Sequence, residues 1–156
     1  MTPGRDGPLV DVSDVVECVR RALPSLDDGV RVLDRLAGEG GAAADLAAVD
    51  GRGRMLLVAC DAEAGPATVL RAMESVARWP EERGLVARFG GAVDPTLAPR
   101  ALVIGVRFPE PTLRFLRRLR AVAPAAYRCL TGADGGDRLV SVGPVGRPGR
   151  GAEASP

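Results

Sequence analysis

The fold is decided by residues 43–60, which read AADLAAVDGRGRMLLVAC. Two apolar segments, 43–49 and 54–60, flank a turn in which Asp50 is followed by Gly51. An Asp-Gly step between two apolar segments is a strong signal for a β-hairpin, because both residues tolerate the backbone conformations that a tight turn requires. This stretch therefore predicts two strands joined by a short turn.

The segments before the hairpin predict a helix and one ambiguous element. Val15, Val16 and Val19 recur at helical spacing after a capping residue at Asp11 or Ser13, and Pro24 ends the pattern. Residues 29–37 fit either a helix or a strand, because their apolar positions agree with both periods. The residues alone leave that choice open.

The segments after the hairpin alternate between helices and strands. Pro66 is a favourable first residue for a helix over 66–79, in which Val69, Leu70, Met73, Val76 and Ala77 form the apolar stripe. Residues 101–108, ALVIGVRF, are continuously apolar and predict a central strand covered on both faces. A helix from Pro111 to Val122 follows, with Val122 on its core-facing side, and strands 125–130 and 138–143 form a last hairpin. The predicted fold class is α/β, an α+β sandwich with helices packed on a mixed sheet.

Length and composition predict one soluble domain over residues 11–143. The chain has 156 residues, of which 46% are hydrophobic and 26% are charged. Residues 1–10 and 144–156 are poor in apolar side chains and are predicted to be disordered tails. Because the chain has neither a signal peptide pattern nor a membrane-spanning apolar run, we expect a cytoplasmic protein without membrane contact.

The residue types that are missing narrow the chemistry. The sequence contains no Lys, His, Asn or Gln, and all 21 of its basic residues are Arg. It therefore has no imidazole base or metal ligand, no Schiff-base lysine and no P-loop lysine. The 3 cysteines, Cys18, Cys60 and Cys129, are widely spaced and lie beside aliphatic residues, which predicts buried reduced thiols.

The hairpin has three features of note: Asp45, the Asp50–Gly51 turn, and the apolar strand that ends at Ala59-Cys60-Asp61. Together they resemble the active hairpin of the restriction-endonuclease-like PD-(D/E)xK superfamily. The likeness is strongest to its NucS-like endonuclease branch and covers residues 43–143. It implies a restriction-endonuclease-like mixed sheet flanked by helices. It also favours a strand at residues 29–37, because that core begins with a helix and a three-stranded meander.

The resemblance also implies a site, and this sequence departs from it. In the superfamily the second strand of the hairpin ends in E-x-K, and its acids hold Mg²⁺ while the Lys helps to activate water. The corresponding residues here are Ala59 and Asp61, so the catalytic motif is degenerate and Asp45 is the matching acid. No catalytic residue is assigned. The alternative interpretations are that Asp45 is a strand-edge acid bonded to a backbone N–H or an Arg, and that Asp61 is a loop-entry residue.

These observations lead to three functional hypotheses. The first is a catalytically inactive nuclease-like domain that serves as a binding or interaction module and has no cofactor. Its partner is either the phosphate backbone of DNA or RNA, which Arg114, Arg117 and Arg118 would face, or a protein. The second is a residual Mg²⁺-dependent DNA endonuclease that uses Asp45 and Asp61 as metal ligands, with Glu63 or Glu39 and with Arg71 supplying charge. The third is a structural or oligomeric protein whose strand 138–143 pairs with a partner.

The degenerate motif carries one further expectation. Changing Ala59 to Glu and Asp61 to Lys together would restore the motif, and weak activity is expected if the rest of the cleft is intact.

Overall fold

The structure is a computed structural model, and it describes residues 12–26, 29–36, 44–78, 87–132 and 136–142. The predicted tails, Glu39 and Trp79 lie outside the described residues. Three helices and six strands follow one another in the described ranges: α1 (Val12–Ala22), β1 (Arg31–Arg35), β2 (Leu46–Val49), β3 (Met55–Glu63), α2 (Pro66–Ala77), β4 (Arg100–Arg107), α3 (Glu110–Leu119), β5 (Ala125–Thr131) and β6 (Asp137–Val142).

The strands form one mixed sheet in the order β1-β2-β3-β4-β5-β6. The first three strands are an antiparallel meander, β3, β4 and β5 run parallel to one another, and β6 returns antiparallel to β5. This confirms the predicted hairpin and the central position of β4, and residues 31–35 are a strand. The predicted fold class, an α/β mixed sheet flanked by helices, is confirmed.

The helices cover both faces of the sheet because β3 presents apolar side chains alternately to each. Leu56, Val58 and Cys60 pack with the buried side of α1. Ala59 packs on the opposite face, with buried side chains of α2 and α3. The face that carries α2 is therefore the face on which Ala59 and Asp61 lie.

Strand β3 is longer than predicted, and this corrects the interpretation of Asp61 as a loop-entry residue. The strand continues to Glu63 because it pairs with β4 beyond the end of its apolar run, with Asp61 beside Gly105 and Glu63 beside Arg107. At Gly105 an added Cβ would lie 2.8 Å from Cβ of Ala64 and 3.1 Å from the carbonyl oxygen of Asp61. Glycine is therefore required where β4 approaches the end of β3.

Two of the predicted apolar faces are also corrected. Leu70 is exposed, and α2 turns Thr68, Val69, Ala72 and Ser75 into the core instead. Because these side chains are small, this face of α2 can approach the sheet closely. With this face turned inward, Leu70 lies on the outer side of the helix. Val122 was predicted to face the core, but it lies in a short 3₁₀ turn after α3 and is exposed.

Candidate functional site

Asp45 lies directly before the first residue of β2, and its carboxylate is hydrogen-bonded to the neighbouring strand. Oδ2 accepts hydrogen bonds from the backbone N–H of Cys60 at 2.8 Å and from Nη1 of Arg71 at 3.1 Å. The side chain is 14% exposed. Asp45 thus has both contacts that the strand-edge interpretation named: a backbone N–H and an arginine.

Asp61 lies in the last part of β3, and its carboxylate points toward the start of α2. Its Oδ2 accepts hydrogen bonds from Oγ1 of Thr68 at 2.6 Å and from Nη2 of Arg71 at 3.1 Å. The side chain is 29% exposed. Thr68 Oγ1 also accepts from the backbone N–H of Gly65 at 3.2 Å, so the same hydroxyl holds the first turn of α2.

Arg71 joins the two carboxylates through one guanidinium group. Its Nη2 also donates to the carbonyl oxygen of Cys60 at 3.3 Å. Burial opposes the charge of this guanidinium, but Asp45 and Asp61 outweigh that cost and raise the pKa of Arg71. We call Asp45, Asp61, Thr68 and Arg71 the bridge cluster, because Arg71 bridges β2, β3 and α2.

Ala59, which the resemblance aligns with an acid, has no side-chain group that could be a metal ligand. It is fully buried and packs against Val69, Ala72 and Val103. Glu63 is turned away to an ion pair with Arg107 at 3.3 Å. Among the described residues no group of three or more His, Cys, Asp or Glu side chains could hold a metal ion.

The donor set of the bridge cluster does not suit a divalent cation. Mg²⁺ is bound by open carboxylate oxygens together with several waters. Here one oxygen of each carboxylate already accepts from the same guanidinium, and a metal ion at that point would be repelled by its charge. The described residues therefore do not fit Mg²⁺.

Sequence reasoning singled out Asp45, Asp61 and Arg71, but it did not find Thr68 or the double ion pair. Thr68 and Arg71 are three residues apart on α2, a spacing that puts two side chains on one helix face. That spacing, shortly after the apolar run that Asp61 follows, is the signal that could have found the contact of both side chains with Asp61.

Helix α3 carries the three predicted phosphate-binding residues on its outer side. Arg114, Arg117 and Arg118 are all exposed, as their spacing of three and four residues predicts. Arg117 is also paired with Glu110, with 3.0 Å between Nη2 and Oε2. The face is basic, but an acid of the same helix offsets part of its charge.

All 3 cysteines are free and buried, which confirms the prediction made for them. Burial, together with the nearby charges of Asp45 and Asp61, raises the pKa of the Cys60 thiol strongly. Burial also raises the pKa of Cys129, to about 12. The thiols are therefore neutral and unreactive near pH 7.

The raised thiol pKa of Cys60 predicts a stability change in alkaline solution. Above its ordinary value of 9.0 the unfolded chain loses the thiol proton while the folded chain keeps it. The free energy of unfolding should therefore fall as the pH rises above about 9. Urea unfolding at pH 7.5, 9 and 10.5 measures this, and Cys60→Ala should show a weaker decline over the same range. An equal decline in that variant would contradict the assignment to Cys60.

Comparisons with known proteins give one structural match. No protein-family model matches this sequence, and no curated protein matches it. Among solved structures, the chain is similar to EndoMS in a structure described as the EndoMS-dsDNA2 complex, with a TM-score of 0.49 and 16% sequence identity. The match covers 71% of this chain and 43% of that chain, so this chain spans less than half of the EndoMS chain. Within the described residues, no helix is long and apolar enough to cross a membrane.

Proposed function

We propose that this protein is a non-catalytic nuclease-like domain that acts as a binding or interaction module. The observation that carries the proposal is the bridge cluster, in which Arg71 lies 3.1 Å from each of Asp45 and Asp61. For metal-dependent hydrolysis, oxygens of these two carboxylates would have to be free to bind the metal ion. They are instead hydrogen-bonded to Arg71 within the protein.

The chemistry of Arg71 supports the same conclusion. A guanidinium is protonated at any ordinary pH, and the two aspartates raise its pKa further, so it cannot accept a proton from water. Ala59 removes a ligand, and its methyl group lies in a packed apolar environment. The described residues therefore provide a structural ion-pair network in place of a base and a metal ligand set.

The first test is a nuclease assay. Purified protein is incubated with supercoiled plasmid, nicked plasmid and single-stranded DNA, with Mg²⁺ or Mn²⁺ at millimolar concentration. We expect no cleavage above the background of a mock purification. Metal-dependent cleavage that is lost in Asp45→Ala would overturn the proposal and establish the residual endonuclease instead.

A second prediction concerns what the module binds. The exposed Arg114, Arg117 and Arg118 favour phosphate groups, and with Arg117 paired to Glu110 the binding should be weak and independent of sequence. We expect DNA affinity to fall steeply between low and moderate salt, because each phosphate contact releases counterions. Changing the three arginines to Ala should abolish binding at low salt.

The control for this measurement has the same charge change at a different place. Arg20, Arg31 and Arg52 are exposed and lie outside α3. Changing them together to Ala removes three positive charges, just as the α3 variant does. If both triple variants lose affinity equally, net charge and not the α3 face controls binding. If the α3 variant binds as well as the parent, the module takes a protein partner.

A further inference from the structure

The two edge strands of the sheet differ in the features that prevent another strand from pairing with them. Strand β1 carries three charged residues, Arg31, Asp34 and Arg35, and a register shift interrupts its pairing with β2 between Val32 and Asp34. Asp34 is also held by an ion pair with Arg88. Charges and irregular pairing at an edge prevent another strand from adding to it.

Strand β6, at the other edge, has little such protection. It pairs with β5 through six consecutive residue pairs without a register shift. The side chain of its acid, Asp137, is 5% exposed and is bound by Arg21 of α1 at 2.9 Å, so Arg138 is the charge that the strand presents outward. Val140 is 41% exposed, and in the described part of the chain no strand lies beyond β6.

The hydrogen-bond pattern shows which backbone groups β6 presents to a partner. Gly132 donates its N–H to the carbonyl oxygen of Gly136, which continues the β5–β6 register and marks a hydrogen-bonded pair. Such pairs alternate with non-hydrogen-bonded pairs along an antiparallel ladder. Arg138, Val140 and Val142 therefore bond to β5, and the outward N–H and C=O groups belong to Asp137, Leu139 and Ser141.

We propose that β6 pairs antiparallel with β6 of a second copy of this chain, with Val140 of each copy side by side at the twofold axis. Outward groups must meet outward groups, so Leu139 of one copy pairs with Ser141 of the other, and the two sheets become continuous. This register gives four backbone hydrogen bonds between the copies and covers both Val140 side chains.

Charge separates the register that pairs Leu139 with Leu139 from the register that pairs Leu139 with Ser141. Pairing Leu139 with Leu139 would place the two Arg138 side chains two residues apart along the strands, about 7 Å. Pairing Leu139 with Ser141 sets them four residues apart, about 13 Å, which is beyond the Debye length of about 8 Å at physiological salt. The register with Val140 at the axis therefore has the weaker repulsion.

The sequence argues against the chain's own C-terminus as the occupant of this edge. Residues 143–156 contain Pro144 and Pro148, which have no N–H to donate, and four glycines. Both residue types are unfavourable in a strand that must pair along its length. A second copy of β6 offers matching donors and acceptors and apolar contact at Val140.

The first experiment measures mass against concentration for the full chain by sedimentation equilibrium. Because the interface is short, we expect a reversible equilibrium in which the mass rises with concentration from 16.2 kDa toward twice that value. Ser141→Pro removes an outward N–H without removing a bond to β5, and it should abolish the rise. Ser141→Ala, which keeps that N–H, should preserve it.

The second experiment tests the register and does not depend on the proline variant folding. Val140 of the two copies would form a non-hydrogen-bonded pair, with Cα atoms about 4.5 Å apart, within disulfide range. Val140→Cys should therefore give a disulfide-linked dimer under oxidising conditions, whereas Arg138→Cys on the same strand should not.

Several results would overturn the proposal, and they stand apart from the nuclease assay because none involves the bridge cluster. One is a constant mass of 16.2 kDa at every concentration, with slow hydrogen exchange at Leu139 and Ser141, which would show that the chain covers its own edge. Constant mass with fast exchange would show that the edge is unpaired. Equal cross-linking of Val140→Cys and Arg138→Cys, or an unchanged dimer in folded Ser141→Pro, would place any dimer contact elsewhere.

Discussion

Replacing Arg71 with Met should lower the free energy of unfolding by about 1–3 kcal/mol, because it leaves Asp45 and Asp61 facing each other without a cation. Removing one partner of a fully buried ion pair costs about 3–5 kcal/mol. The smaller range applies here because the Arg71 side chain is 34% exposed, so water screens part of the interaction. Urea unfolding at pH 7 measures the loss.

A matched control separates this effect from the loss of an arginine in general. Arg117→Met removes a guanidinium from the exposed pair with Glu110, in which both side chains are more than half exposed. We expect a change of about 0.5 kcal/mol or less, as for other surface pairs on a helix. Equal losses for Arg71→Met and Arg117→Met would show that the bridge cluster does not stabilise the fold.

A rescue variant tests the electrostatic reason directly. Adding Asp45→Asn and Asp61→Asn to Arg71→Met removes the two unpaired charges. The amide oxygen of Asn can still accept from the backbone N–H of Cys60, as Asp45 does. The triple variant should therefore recover part of the stability that Arg71→Met loses. Further destabilisation would assign the loss to packing of the Arg71 stem.

The order of the elements could be predicted from sequence because it depends on short-range patterns. The turn at Asp50 is an example: its Oδ1 accepts from the backbone N–H groups of Arg52 and Arg54, at 2.9 Å each, which is local chemistry that an Asp-Gly step encodes. The strand at β4 was equally readable, because a continuous apolar run indicates a strand covered on both faces.

The predictions that were wrong concern features that depend on contacts between residues far apart in the sequence. The end of β3 is set by β4, which lies more than 40 residues away, and no pattern inside β3 predicts that pairing. The inward face of α2 was misplaced because Thr68 and Ser75 are polar, yet Ser75 bonds to the carbonyl of Ala72 and Thr68 bonds to Asp61. Polar side chains with satisfied hydrogen bonds can be buried, and hydropathy alone does not show this.

The candidate site was predicted in part. The resemblance selected Asp45 and Asp61, and the absence of Lys and His excluded ordinary base chemistry. That both acids meet at one arginine is a property of the assembled sheet and helix, since Arg71 is 26 residues from Asp45 and 10 from Asp61. The spacing of Thr68 and Arg71 can indicate a contact with Asp61, but no spacing in the sequence shows that the same arginine also reaches Asp45.

The structure also changes the expectation for a restored motif: Ala59→Glu with Asp61→Lys should destabilise the protein severely and give no nuclease activity. Ala59 is fully buried among Val69, Ala72 and Val103. A glutamate there both overfills the core and buries a carboxylate in an apolar environment.

The second substitution adds a further cost, because Lys at position 61 would face Arg71 across the 3.1 Å gap that an ion pair now closes. Together the two changes should cost more than about 4 kcal/mol, a large share of the roughly 5–15 kcal/mol by which a domain is stable. Thermal unfolding followed by circular dichroism measures this. The control is Ala67→Glu with Glu63→Lys, which makes the same changes of charge at exposed positions of α2 and β3. The control should unfold within a few degrees of the parent.

A folded Ala59→Glu, Asp61→Lys variant that cleaves DNA only with Mg²⁺ would show that the cleft tolerates the motif. That result would contradict the structural role of the bridge cluster.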